Sequence, residues 1–169
     1  MKYSDKNYLL EILRELSKSK IKFIVCGGVA VVLHGVERMT IDLDLAIDFS
    51  SDNVKKFNKL IKRFGFIPRA PISANVLEDE KKREQLIKEK NAFVFTYINP
   101  KKPYMILDIF LKKDTYNSLL KNTVIKKISN NFIRIASIEQ IIAMKKKIKP
   151  LRDKDIYDIK ALTKIKELK

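Results

Sequence analysis

Two aspartates separated by one residue interrupt an apolar run of this sequence. Asp42 and Asp44 alternate with Ile41, Leu43 and Leu45, and alternate residues of a β-strand project from the same face of a sheet. Both carboxylates would then lie on one face, where they can share a divalent cation. Carboxylate oxygens suit Mg²⁺, which completes its shell with water and substrate phosphates. The pair therefore predicts a phosphate-handling site, and a polar edge strand facing solvent is the alternative.

Asp108 is a third isolated carboxylate in an apolar run, which extends from Tyr104 to Leu111. If this run forms a strand beside the first one, we expect Asp108 to lie next to the Asp42 and Asp44 pair. Three carboxylates around one or two metal ions are used in phosphoryl and nucleotidyl transfer, where one of them can also take the proton of the attacking hydroxyl. The sequence thus predicts metal-binding and catalytic roles for all three aspartates.

A pair of glycines, Gly27 and Gly28, follows the apolar run that ends at Cys26. Glycine lets backbone N–H groups approach a phosphate closely, and the start of a helix adds a favourable partial positive charge. Glycine at a strand–helix junction is also ordinary turn material. Arg38 and Thr40 lie just ahead of the acidic strand, where they can contact phosphate or hold the Asp42 carboxylate, although a surface arginine is the plain alternative.

The chain is strongly basic. Its 169 residues include 36 Lys and Arg against 20 Asp and Glu, a formal net charge of +16, which favours contact with nucleic acid, nucleotide phosphates or an acidic protein. Lysine-rich surfaces also serve solubility. With one cysteine and no apolar stretch near the roughly 20 residues that span a bilayer, we expect a cytoplasmic protein without a disulfide framework or a membrane segment.

Other site classes have little support. His34 is the single histidine, and beside Gly35 it is expected to cap or pack a helix end. The sequence has no Cys/His metal spacing, no phosphate loop of the Walker type and no dinucleotide fingerprint. An Asp-x-Asp pair also occurs in glycosyltransferases, but the doubly wound nucleotide domain that would precede it is lacking.

Hydrophobic periodicity and turn residues predict one α/β (α+β) domain over residues 1–169, with a core at 20–136 and closing helices at 137–168. We expect a mixed, twisted sheet with flanking helices and a C-terminal helical pair. The helices are predicted at 5–19 with Ser4 or Asp5 as cap, 29–34, 54–64, 138–148 and 153–168, and the strands at 21–26, 41–48, 92–98, 104–111, 124–128 and 132–135. Residues 72–90 are predicted as a loop followed by some helix.

The last predicted helix carries its own pattern. Asp155, Asp158 and Leu162 occupy positions i, i+3 and i+7, so both acids lie on one helix face with Lys154 beside them. A solvated face with Lys–Asp pairs explains this pattern equally well.

Taken together, these motifs resemble the nucleotidyltransferase superfamily with a polymerase-β-type palm. The matching residues are Gly27-Gly28-Val29-Ala30, His34-Gly35, Arg38, Thr40 and Asp42-Leu43-Asp44. The tail from Ile138 to Lys145 and from Arg152 to Ile159 is similar to the closing helices of the branch that contains the AbiEii-type toxins. The resemblance spans roughly residues 20–162.

The resemblance implies roles residue by residue. Gly27 and Gly28 would receive the triphosphate, Asp42 and Asp44 would bind metal, and Asp108 would bind metal or act as base. Lys145 would reach the nucleotide phosphates, and Lys154, Asp155 and Asp158 would form the polar cluster of the tail. Many members have serine where Gly28 stands here. The implied cofactor is Mg²⁺, with two ions expected and Mn²⁺ possible.

The expected reaction is Mg²⁺-dependent transfer of a nucleoside monophosphate from an NTP to an acceptor hydroxyl. The acceptor is left open between tRNA or other RNA, a protein and a small molecule, and the resemblance implies a toxin with a cognate antitoxin. The first alternative is a non-catalytic basic domain that binds nucleotide or RNA. A third is antibiotic nucleotidylation, which needs an acidic acceptor pocket that the sequence does not clearly show.

Overall fold

The computed structural model describes residues 8–168 and confirms the predicted α/β class, with one mixed seven-stranded sheet and helices packed against it. The strands are β1 Phe23–Cys26, β2 Asp42–Ile47, β3 Ile67–Pro68, β4 Val94–Asn99, β5 Lys102–Phe110, β6 Thr123–Ile128 and β7 Asn131–Ala136. The helices are α1 Tyr8–Lys18, α2 Gly27–Leu33, α3 Ser51–Arg63, α4 Glu80–Lys90, α5 Thr115–Leu120, α6 Ile138–Lys146 and α7 Asp153–Glu167, with a 3₁₀ helix at Ala74–Glu78.

The strand order is β3-β4-β5-β2-β1-β7-β6. At its centre, β2 runs parallel to β5 and antiparallel to β1. The inward residues Leu43, Leu45 and Leu107 are at most 1% exposed, so apolar burial fixes which face of each strand is turned inward. The carboxylates that alternate with these leucines are consequently displayed on the opposite face.

Local signals explain most helix positions. Ser137 caps α6 through a reciprocal pair of hydrogen bonds with Gln140, and the buried Ile138 and Ile141 anchor its first turns. In α3, the periodic apolar residues Val54, Phe57, Leu60 and Ile61 are all buried. The tail ends in the predicted helical pair, α6 and α7.

Three elements were not predicted. The two-residue strand β3, the 3₁₀ helix and the six-residue helix α5 are too short to show a clear hydrophobic period, so tertiary contacts rather than local sequence define them. Helix α2 begins at Gly27 instead of after the glycine pair, which places both glycines in its first turn. The predicted start of α1, with its Ser4 or Asp5 cap, lies outside the described residues.

His34 is buried at the C-terminal end of α2, where its Nε2 lies 2.8 Å from the carbonyl oxygen of Ala136. This position fits the capping and packing role expected of it. Within residues 8–168, none of the helices has the length and apolar character required to cross a membrane.

Candidate active site

The parallel pairing of β2 with β5 brings the three isolated aspartates together. Asp44 is the direct cross-strand partner of Asp108, and Asp42 lies two residues earlier on the same face. All nine candidate residues line one cavity of about 290 Å³; they are Gly27, Gly28, Arg38, Thr40, Asp42, Asp44, Asp108, Lys145 and Lys154. The structure therefore assembles the predicted set, while the role of each residue stays a prediction.

Burial and neighbouring charges raise the pKa values of Asp44 and Asp108. Burial raises the pKa of Asp44 to about 6, and the charges of Asp108 and Asp42 act in the same direction, against Lys145 and the backbone N–H of Gly28. Burial also raises the pKa of Asp108. Like charges on adjacent strands repel one another. A cation bound on this face would relieve that repulsion.

These acids fit a hard divalent cation by their chemistry. Carboxylate oxygens on one face are ligands of the kind that Mg²⁺ and Mn²⁺ bind. Among residues 8–168, no three acidic, histidine or cysteine side chains are already arranged around a common point for a metal ion. Oδ1 of Asp108 accepts a hydrogen bond of 2.5 Å from the Thr96 hydroxyl.

Close packing explains both glycines. Gly27 has φ of +56°, and a Cβ placed there would lie 1.8 Å from Oδ2 of Asp44. A Cβ at Gly28 would lie 2.4 Å from Oγ1 of Thr40 and 3.0 Å from a terminal guanidinium nitrogen of Arg38. Any side chain at either position would therefore displace a site residue. The backbone N–H of Gly28 hydrogen-bonds to Asp44, so in this structure it supports a carboxylate.

Asp155 and Asp158 of α7 are fully buried, each 0% exposed. The Lys145 ammonium nitrogen lies 2.9 Å from Oδ1 of Asp155 and 2.8 Å from Oδ2 of Asp158. The alternative of a solvated face is therefore wrong, because a solvated face would leave the carboxylates in water. A buried lysine ties α6 to α7 instead.

Two arginines complete this network. Arg38 donates to Oδ2 of Asp158 at 2.5 Å, and Arg152 donates to Oδ2 of Asp155 at 2.6 Å. The carboxylate held by Arg38 is therefore Asp158 and not Asp42, which corrects one of the two roles expected of Arg38. Oδ1 of Asp158 is buried and accepts no hydrogen bond from the described part of the chain.

Sequence reasoning missed part of the cavity wall. Arg152 was not singled out, although its i, i+3 spacing to Asp155 is the signal that could have found it. The apolar wall is formed by Phe110, Ile141, Met144 and Ile148. Lys154 lies at the exposed rim, in contrast to the buried Lys145. The cavity thus combines acids, bases and an apolar wall, the surroundings that a nucleoside triphosphate requires.

Solved structures with the same fold include several nucleotidyltransferases. The lincosamide antibiotic adenylyltransferase LnuA, solved with lincomycin bound, has a TM-score of 0.63 and 18% identity over 98% of this chain and 99% of that one. ANT(2″)-Ia, solved with adenylyl-2″-tobramycin, has a TM-score of 0.57 and 15% identity over 98% and 95%. A nucleotidyltransferase-like protein from Paracoccidioides brasiliensis has a TM-score of 0.55 and 17% identity over 92% and 73%.

No curated protein matches the sequence. The model of one protein family does, over residues 9–169, and this family is described as the nucleotidyl transferase AbiEii toxin of type IV toxin–antitoxin systems. That match covers nearly the whole chain and agrees with the fold and with the acidic site. The chain therefore belongs to the AbiEii nucleotidyltransferase toxin family.

Proposed function

We propose that this chain transfers a nucleoside monophosphate from an NTP to an acceptor hydroxyl with release of pyrophosphate. The observation that carries the proposal is the meeting of Asp42, Asp44 and Asp108 with the Gly27-Gly28 turn in one cavity of about 290 Å³. Acids that bind cations and a backbone that admits phosphates are the two parts that this reaction needs.

The triphosphate would lie between the glycine turn and the basic side of the cavity. Lys145, Arg152 and Lys154 line that side together with Arg38. In the structure Lys145, Arg38 and Arg152 are paired with Asp155 or Asp158. These acids hold the three basic side chains in place, and the exposed Lys154 is accessible to an incoming phosphate.

Asp42, Asp44 and Asp108 would hold the divalent cation, with Mg²⁺ in two positions as our proposal and Mn²⁺ as a substitute. When bound, the metal supplies positive charge against the triphosphate and the leaving pyrophosphate. Asp108 would also take the proton of the acceptor hydroxyl. Thr96 orients the Asp108 carboxylate by donating to Oδ1.

For the acceptor we propose RNA, tRNA included, and for the biological role we propose a toxin that is neutralised by a cognate antitoxin in the cytoplasm. The family supports the toxin role, and the net charge of +16 supports a polyanionic acceptor. The structural neighbours acting on lincomycin and tobramycin keep antibiotic nucleotidylation as a second candidate.

The test is label transfer from each α-labelled NTP in the presence of Mg²⁺ to total RNA, cell protein or antibiotic. The variant Asp42→Asn/Asp44→Asn should lose transfer at least a thousandfold, since it removes both proposed metal ligands. Asp52→Asn/Asp114→Asn is a matched control, because both acids are exposed and neither lines the cavity.

Loss in the first variant with full activity in the control supports the proposal. A wild-type protein that transfers no label, yet binds RNA in a salt-sensitive manner equally well in both variants, would instead identify a non-catalytic binding domain on the same fold.

A further inference from the structure

A second groove adjoins the acidic cavity at Thr96, and we propose that it is the acceptor subsite, with Arg69 selecting an acceptor that carries a phosphate beside its attacking hydroxyl. This inference rests on the proposed nucleotidyl transfer. The groove has a volume of about 660 Å³, larger than the acidic cavity. Thr96 lines it and donates its hydroxyl to Asp108, which lines the other cavity.

The groove exists because β3 is short. Its pairing with β4 is confined to Ile67 with Ile98 and Pro68 with Tyr97. The backbone N–H of Arg69 then donates to the carbonyl oxygen of Thr96 at 2.9 Å. Beyond this bond the chain leaves β4, so the first residues of that strand border open space. The same bond fixes the start of the Arg69 side chain next to the acidic site.

The residues that line the groove are complementary to a ligand that carries a phosphate and an apolar part. Arg69 and Lys90 supply two positive charges. Among the described residues that line the groove, none carries a carboxylate, and most of the wall is apolar: Pro71, Ile72, Leu86 and Val94 contribute to it. A nucleotide end offers a phosphate to the cations and a base face to the wall. A polyamine, by contrast, would place its positive charges beside Arg69 and Lys90 without a carboxylate to pair with them.

Sheet order places the groove on the side that the reaction needs. The order β4-β5-β2-β1 puts the groove next to β4, the acids on β5 and β2, and the glycine turn at the end of β1. Neighbouring strands are about 4.8 Å apart, so the acids lie between the groove and the glycine turn. An α-phosphorus at the acids would then have its leaving pyrophosphate toward Gly27 and an acceptor on the opposite side, as in-line displacement requires.

The step balances without another reactant. The acceptor hydroxyl oxygen forms a bond to the α-phosphorus, and the bond from that phosphorus to the pyrophosphate oxygen breaks. The electron pair of the broken bond leaves with pyrophosphate, and the hydroxyl proton passes to Asp108. Arg69 touches the acceptor phosphate and takes no part in the bond changes, so its effect should fall on acceptor affinity.

The experiment measures transfer by the full chain to a mixed-sequence eight-nucleotide RNA with a free 3′-hydroxyl. Arg69→Ala should raise KM for this RNA about tenfold, the effect of one lost charge-assisted hydrogen bond, with the KM for NTP within twofold of wild type. The dependence of log KM on log salt should weaken by about 0.7, since one phosphate contact is lost. Arg63→Ala is the matched control, because Arg63 is exposed at the end of α3 and does not line the groove.

Arg69 is exposed, so its removal should leave the free energy of unfolding unchanged, and a urea titration verifies this. An unchanged KM and salt slope in Arg69→Ala would overturn the subsite while leaving nucleotidyl transfer intact. More efficient transfer to an aminoglycoside than to the RNA would also overturn it. Absence of transfer by wild type to every acceptor would refute the proposed function itself, and the subsite with it.

Discussion

The ion-pair network of α7 makes a quantitative prediction about acid stability. Burial by itself would raise the pKa of Asp155, but hydrogen bonds from Arg152 and Lys145 outweigh it and hold the pKa at about 2, below its ordinary 3.8. The folded protein therefore keeps this carboxylate charged at pH values where the unfolded chain has protonated it. Stability from this group is fully present above about pH 4 and is lost as the pH falls through 2.

The magnitude follows from the difference between the two pKa values. At 1.36 kcal/mol per pKa unit, the difference between about 2 and 3.8 corresponds to about 2 kcal/mol. Since Asp155 is 0% exposed, solvent screening reduces this figure little. Asp155→Asn should therefore lower the free energy of unfolding at pH 7 by about 2 to 3 kcal/mol, and the difference from wild type should shrink to near zero at pH 2.

The assay is urea unfolding followed by circular dichroism at several pH values from 7 to 2. Asp153→Asn is the matched control, because Asp153 is on the same helix two residues away but exposed, and it should follow the wild-type curve. A difference between Asp155→Asn and wild type that stays constant from pH 7 to pH 2 would refute the reasoning, because a purely steric defect has no such pH dependence.

Three further outcomes are expected. Gly27→Ala and Gly35→Ala should both lose about 1 to 2 kcal/mol of stability, measured by urea unfolding, because both have positive φ; only Gly27→Ala, whose Cβ meets Asp44, should also lose label transfer by more than tenfold. In EDTA, the free energy of unfolding of wild type minus that of Asp44→Asn should fall as the pH rises from 4 to 6, because the raised pKa of Asp44 penalises its charge; a difference that does not change with pH would contradict the electrostatic account. The buried Cys26 thiol, whose pKa burial raises, should react with a maleimide only after unfolding, as mass spectrometry would show.

The sequence predicted the strands of the site because their pattern is local. Alternation around Asp42 and Asp44, and one acid in the run that includes Asp108, identify two strands and the face that carries each acid. That these strands lie side by side was an expectation about topology, and the register of Asp44 with Asp108 confirms it; their parallel direction was not predicted.

The partners in the tail could not be predicted in the same way. Spacing shows that Asp155 and Asp158 share a helix face, but it does not show whether water or protein covers that face. Asp158 pairs with Arg38, which is 120 residues away, and with Lys145 on the preceding helix. The groove beside Thr96 was missed for a similar reason, since its shape depends on where the two-residue β3 ends.

The origin of the site residues has a consequence for protein synthesis. Gly27 and Asp44 come from the first third of the chain, Asp108 from the middle third, and Asp155 and Asp158 from the last helix. The N-terminal part of the chain emerges from the ribosome first, and two distant segments can pair as strands only after both have emerged. A growing chain therefore carries the Asp42 and Asp44 strand for some time without β5 and its Asp108. The complete set of site residues is therefore present only when translation of α7 is complete.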